Sequence, residues 1–485
     1  MSNRLNKLLL LLPLFPLFFL HGYAQEKKWD LRTCVDYAVA NNISVKQADI
    51  QARLARLTLS QSKWAQIPTL AFSAGAGLNA GNSLNQTTYT INKSTTLYNN
   101  YGLQSNVTVF NGFYLQNLIA ANRYSWQAAL ANSDKTKNDI TLNVANAYLQ
   151  VLLAMEQTEA AHLQLHLSQN QLELTRKQVN AGTLPELNAA ELESQVAQDS
   201  ATYITSKGTV TQNILQLKAY MDLDASVPFD VYAPPVEDIP VENLADLQPD
   251  VIYTMALVNQ PLQKMDALQI ESARKSMESS KGATYPTVSI FGSAQTNYVH
   301  LGPDIPTAGY FSLIKTGNVQ GSNAAVYDSV FQATSSRRGA PDPYFTQLNS
   351  YFTQQVGLNV SIPILNQGIL RTNYAKSKLT LRNQELQRDQ DNLTLKNNIY
   401  VAYTSAITAL QKFEANKITV TATQKSYDYA QKRYAIGMSN TIDLLTNQNN
   451  FFNARINLLS SQFDYVFKMK VLEYYKGLGI KLTKE

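Results

Sequence analysis

The sequence predicts an α+β membrane protein built from one unit used twice, each unit a helix, a β-hairpin and a long helical hairpin. Three observations carry that prediction. First, the chain repeats itself. Displaced by 255 residues, Asn111, Asn143, Tyr148, Lys177, Gly182 and Leu217 fall on Asn366, Asn398, Tyr403, Lys432, Gly437 and Leu472. Displaced by 218, Ala38, Asn41, Gln51, Arg56, Lys63 and Pro68 fall on Ala256, Asn259, Gln269, Arg274, Lys281 and Pro286. A repeat of this length governs the architecture. The two displacements differ by 37 residues, so the second copy carries extra sequence between its matching parts. Second, each copy changes from helical periodicity to strict alternation and back. Third, beyond residue 24 no apolar run is long enough for a spanning helix, so entry into a membrane requires strands.

The chain opens on Arg4 and Lys7, an apolar run from Leu8 to Leu20, and the small-residue sequence Gly22-Tyr23-Ala24. This layout predicts a secretory signal peptide over 1–24. Pro13 and Pro16 interrupt the run and argue against an anchor. The first repeat is then expected over 25–222. Asp30 caps a helix running to about Trp64, stopped by Pro68. A β-hairpin follows at about 68–111. Leu70, Phe72, Ala74, Ala76 and Leu78 share one face, and Ala71, Ser73, Gly75, Gly77 and Asn79 the other. A polar loop is expected over roughly 84–100. Helical text then runs from about Gly112 to Asn180, about 100 Å if continuous. Gly182 ends it as a helix C-cap and starts a return helix to about Met221.

Residues 223–249, with Pro228, Pro234, Pro235, Pro240 and Pro249, form a proline-rich linker. The second repeat is expected over 250–485, with a first helix from about 250 to 283 and a hairpin at about 286–364. Its second strand sets Val356, Leu358, Val360 and Ile362 against Gln355, Gly357, Asn359 and Ser361. Between its strands lies a turn-rich loop, roughly 300–350, which holds the 37-residue surplus. A long helix, a tip at Gly437 and a return helix to about Tyr475 complete it.

Alternating strands nearly free of charge, one face small or polar, match the text of a membrane β-barrel. Two copies provide four strands, and the smallest barrels have eight. Open edges cannot sit in lipid, so the chain must oligomerise as a closed ring. Three chains would supply twelve strands. The net charge of +5 over 485 residues leaves no nucleic-acid footprint. The single cysteine, Cys34, allows no intramolecular disulfide. His162 and His166 are four apart on a helix, but the pair lacks a third ligand, so no metal and no cofactor are expected. No nucleophile–base–orienter set stands out, and no enzyme is expected.

The duplicated unit, the strand-to-helix junctions Val109-Phe110-Asn111-Gly112 and Ile364-Leu365-Asn366-Gln367, and the tip from Arg433 to Leu445 resemble the TolC-type outer-membrane factors of efflux pumps and type I secretion systems. The resemblance covers nearly all of the mature chain. It implies a homotrimer with a twelve-stranded barrel in outer-membrane lipid and a helical tunnel in the periplasm. It also implies a periplasmic adaptor (membrane fusion) protein and an inner-membrane RND or ABC transporter as partners. In such channels the position of Asp443 faces the pore, where three carboxylates attract cations. Thr446 stands where the family pattern has a second acidic residue, and Ser439 where it sometimes has a basic one. Asn188 is the first-repeat counterpart of Asp443. Tyr434 is expected near the same constriction, and Gly182 and Gly437 at adaptor-facing tips. A structural coiled-coil surface protein would share the long helices but has no use for two hairpins. A soluble periplasmic enzyme would need a compact core that these thin apolar stripes do not supply.

Overall fold

The structure, a computed structural model, describes residues 29–85, 89–232, 239, 241–301, 304–322 and 324–477. The expected signal peptide, 1–24, and Pro234, Pro235 and Pro240 of the expected linker lie outside them. The chain divides into two compact units: residues 1–47, 134–260 and 395–485, and residues 48–133 and 261–394.

The first unit is helical. Helix α1 (Leu31–Asn41) starts at Asp30, whose carboxylate accepts from the Thr33 amide at 2.8 Å. The expected single helix from Asp30 to Trp64 is in fact two. Asn42 adopts extended backbone (φ −56°, ψ 132°) and α2 (Ile43–Trp64) begins after it. The Asn42 amide donates to the Tyr220 carbonyl at 2.8 Å and its oxygen accepts from the Ser44 amide. One side chain thereby satisfies the start of α2 and the end of the return helix. The second repeat does the same. The expected helix over 250–283 splits into α5 (Pro249–Asn259) and α6 (Pro261–Gly282) at Gln260, whose amide donates to the Tyr474 carbonyl at 2.7 Å. Pro261 also disfavours a helical Gln260.

Helices α3 (Tyr114–Asn180) and α8 (Ile369–Ala435) are each 67 residues long, and α4 (Glu186–Met221) and α9 (Thr441–Tyr475) return from them. Among the described residues no helix is long and apolar enough to cross a membrane. The core of this unit repeats with the sequence. Cys34, Ala38, Val144, Tyr148 and Leu217 form one apolar cluster, and their counterparts Ile252, Ala256, Ile399 and Leu472 form a second with Ala402. Burial pushes the Cys34 thiol up to about 12, so it packs as a small apolar group.

The second unit holds a four-stranded antiparallel sheet of β1 (Thr69–Asn85), β2 (Thr90–Phe110), β3 (Thr287–Val299) and β6 (Thr353–Ser361), in the order β1-β2-β3-β6. The first loop is shorter than the expected 84–100, because both strands continue into it. Thr69 lies opposite Asn106 in the first hairpin, and Thr287 opposite Ser361 in the second. These four positions are repeat counterparts, so the duplication preserves register as well as sequence. One sheet face is apolar and open: Leu70, Phe72, Leu78 and Leu358 are about 70% exposed and Val356 is 82% exposed.

The stretch over 300–350, expected as a turn-rich loop, holds regular elements among its described residues. It contains a separate hairpin, β4 (Asp304–Asn318) with β5 (Ala325–Arg338), and a short helix, α7 (Tyr344–Ser350). Period-two text such as Tyr310-Phe311-Ser312-Leu313 lies inside the turn-rich stretch and folds on its own ladder. Helix α7 covers the end of β3 that β6 does not reach. The buried Gln347 amide donates to the Val299 carbonyl and accepts from its N–H, standing in for a strand. The Tyr344 and Tyr101 hydroxyls meet at 2.8 Å.

Candidate functional site

The tips of the two helical hairpins are built alike. In the first, Gly182 takes φ +73° and its N–H donates to the Val179 carbonyl at 2.8 Å, while the Thr183 amide bonds back to Gln178. In the second, Gly437 takes φ +72°, its N–H donates to the Tyr434 carbonyl at 3.0 Å, and the Met438 amide bonds back to Arg433. These bonds satisfy the orphan carbonyls at the helix ends. Left-handed backbone explains why glycine occupies both positions. A Cβ at either would meet nothing within 4 Å, so the tips face open space. Leu187, Ile436, Met438 and Ile442 surround them, each more than half exposed.

Asp443 is exposed in the first turn of α9. The Asn440 side chain caps this helix by accepting from the Asp443 amide at 2.7 Å, and Ser439 Oγ donates to the Asp443 carboxylate at 3.3 Å. A carboxylate there also suits the helix dipole. Thr446, one turn on, is exposed on the same side. Asn188 is half-buried in the first turn of α4, and its backbone N–H donates to the Pro185 carbonyl at 3.1 Å. Asp443 and Asn188 therefore bond within their own hairpins. Tyr434 joins the two hairpins: its hydroxyl lies 3.3 Å from that of Thr175. It also packs against a buried cluster of Tyr427, Ala430 and Leu444. His162 and His166 stack edge to face, and among the described residues no group of metal-ligating side chains forms.

A buried polar network lies further along the same helices. The Asp199 carboxylate accepts from Gln195 at 2.8 Å, from Ser168, and weakly from Gln164 at 3.5 Å. Gln448 donates to Ser168, and Gln195 exchanges both amide bonds with Asn449. Three helices, α3, α4 and α9, are thus pinned in one register. The sequence did not flag this, because Asp199 sits in text rich in Ala, Ser and Gln that reads as a wet face. Its second-repeat counterpart is the buried Ala454, a difference that would have singled Asp199 out.

In the second unit, Gln263 and Asp266 share one buried face of α6, and among the described residues neither Asp266 Oδ2 nor either side-chain amide atom of Gln263 has a hydrogen-bond partner. Burial, and then the charge of Asp391, push Asp266 up to about 6, against the opposing pull of Arg388.

The model of the outer membrane efflux protein family matches residues 34–222 and 252–466. The outer membrane protein TolC of Salmonella enteritidis is 19% identical over 341 residues, which cover 70% of this chain and 61% of that protein. The alkaline protease secretion protein AprF of Pseudomonas aeruginosa is 20% identical over 344 residues, 70% of this chain and 62% of that one. The chain thus spans about three fifths of the length of these relatives. Among solved structures, CusC superposes with a TM-score of 0.73 at 15% identity, covering 94% of this chain and 93% of that one. The repeated hairpins, the alternating strands and these matches place the chain in the outer membrane efflux protein family, whose members are outer-membrane channels with a helical periplasmic part and not enzymes.

Proposed function

We propose that this chain is the outer-membrane exit duct of a tripartite efflux pump. Three copies close a twelve-stranded barrel, and their α3, α4, α8 and α9 helices line a tunnel below it. A periplasmic adaptor and an inner-membrane transporter deliver the substrate. One observation carries this reading: a four-stranded sheet whose two edges are unpaired among the described residues and whose apolar face is exposed, joined to helices about 100 Å long. A sheet of that kind needs lipid on its apolar face and further copies at its edges. The exposed apolar residues around Gly182 and Gly437 suit contact with an adaptor. Asp443, Asn188, Thr446 and Tyr434 would form the constriction, with Asp443 as its charged element.

Fractionation and gel migration test this reading. The protein should travel with outer membranes and run as a trimer unless boiled. A soluble monomer would defeat it. The name of AprF supports a second reading, the outer-membrane channel of a type I secretion system. Deleting the chain separates the two. Rising intracellular dye accumulation supports efflux, whereas loss of a secreted protein from the medium supports secretion.

A further inference from the structure

We infer that copies of this chain join along one defined seam. Strand β6 of one copy pairs antiparallel with β1 of the next, in the register that sets Gly357 against Gly77 and Gln355 against Asn79. Tyr98 and Phe291 meet across it. The inference rests on the trimer reading and adds to it the partner strand, the register and the residues that hold it.

Among the described residues, β1 pairs only with β2 and β6 only with β3, so these two strands are the edges. Edges beside an apolar face must be paired. The repeat supplies the register. A displacement of 218 carries β1 onto β3, and one of 255 carries β2 onto β6. Applied to Gly77 opposite Tyr98, these give Gln295 opposite Thr353, the pair that β3 and β6 make. The remaining junction in the chain is β2 with β3, where Gly102 lies opposite Gln295 and Asn100 opposite Asn297. The same displacements turn these into Gly357 opposite Gly77 and Gln355 opposite Asn79.

Three further features agree. In this register Asn79, Gly77 and Gly75 face Gln355, Gly357 and Asn359 on the polar side. Leu78, Ala76 and Ala74 face Val356, Leu358 and Val360 on the apolar side. A slip of one residue would oppose polar to apolar faces. The ladder of β2 and β3 shifts register between Thr108 and Phe110, and the counterparts of that stretch run from Pro363 to Leu365, just past the end of β6, where a proline removes no ladder bond. Finally, both seam glycines are already roofed by aromatic rings. A Cβ on Gly77 would lie 2.8 Å from the Tyr98 ring, and one on Gly357 2.7 Å from the Phe291 ring. In the proposed register the row reads Tyr98, Gly77, Gly357, Phe291. The two rings lean toward each other over a gap with no side chain. A slip of two sets Gly357 against Gly75 or Asn79 and separates the rings.

Paired cysteines test the register, since only directly opposed positions come within disulfide reach. Native Cys34 is buried and does not compete. In outer membranes under a mild oxidant, N79C with Q355C should convert the monomer band of a denaturing gel into a covalent trimer. N79C with T353C should not. If the trimer forms but only the mismatched pair links, the register is overturned while the trimer reading stands. If fractionation yields a soluble monomer, the trimer reading itself fails. The rings are tested by Y98A, F291A and the double variant. Each single change should lower the temperature at which the trimer dissociates, and the double should lower it little further. Additive losses would overturn the contact across the seam.

Discussion

Asp266 ties the second unit to pH. Burial raises its carboxyl to about 6, from an ordinary value of 3.8. Between those values the folded chain holds a proton that the unfolded chain releases. Stability therefore rises as pH falls from about 7 to about 4, and is lost as pH climbs through about 6. Asp266→Asn should flatten that dependence, as read from thermal unfolding at about pH 5 and about pH 8. A slope unchanged in the variant would assign the effect elsewhere. Asp199 is a buried carboxylate that accepts from several donors. Asp199→Leu strands the Ser168 hydroxyl and a Gln195 donor, and should cost about 1–3 kcal/mol in denaturant unfolding. At Asp443 the prediction concerns conduction. In planar bilayers under a salt gradient, Asp443→Asn should move the reversal potential toward lower cation preference. An unmoved potential would remove Asp443 from the pore. Asp443 was legible in the sequence because a glycine turn precedes it and a helix starts at it. Asp199 and Asp266 were not, since a helical stripe of small and polar residues does not tell a wet face from a packed one.

Among elements, the hairpin tips carry the clearest prediction. Tryptophan at Gly182 or Gly437 projects into open space, so its internal cost is confined to the left-handed backbone, about 1–2 kcal/mol per residue. Transport should fall while trimers persist. Full transport with Trp at both tips would rule out docking there. The β4–β5 hairpin shares no ladder with the four-stranded sheet. Removing residues 304–338 behind a short linker should therefore leave a heat-resistant trimer, and loss of the trimer would make the hairpin part of the wall. The helices, tips and alternating strands followed from periodicity and glycine placement. The breaks at Asn42 and Gln260 did not, because an amide capping a carbonyl 178 residues away is a tertiary fact. The repeat held a usable signal, since the 218-residue displacement sets Asn42 on Gln260, amide on amide, and Pro261 follows.

For the whole molecule, the proposed trimer would make three chains equivalent to six half-units around one axis. The seam between copies is then the same junction as β2 with β3 inside a chain, which is why the register of one predicts the other. This much was latent in two displacement numbers. What the numbers could not supply is how the halves diverge: Asp199, the centre of a buried network that also draws on α9, has only Ala454 as its counterpart, and the hairpin with α7 belongs to the second repeat alone. Both arise from local packing that no period announces.

The 37-residue surplus entered between Val299 and Thr353, yet Thr287 still faces Ser361 as Thr69 faces Asn106. Gln347 seals the strand end where the surplus leaves the sheet. For protein engineering, this makes the span between Val299 and Tyr344 a grafting site. A foreign segment that folds on its own ladder should replace the hairpin there while the four-stranded sheet keeps its alignment.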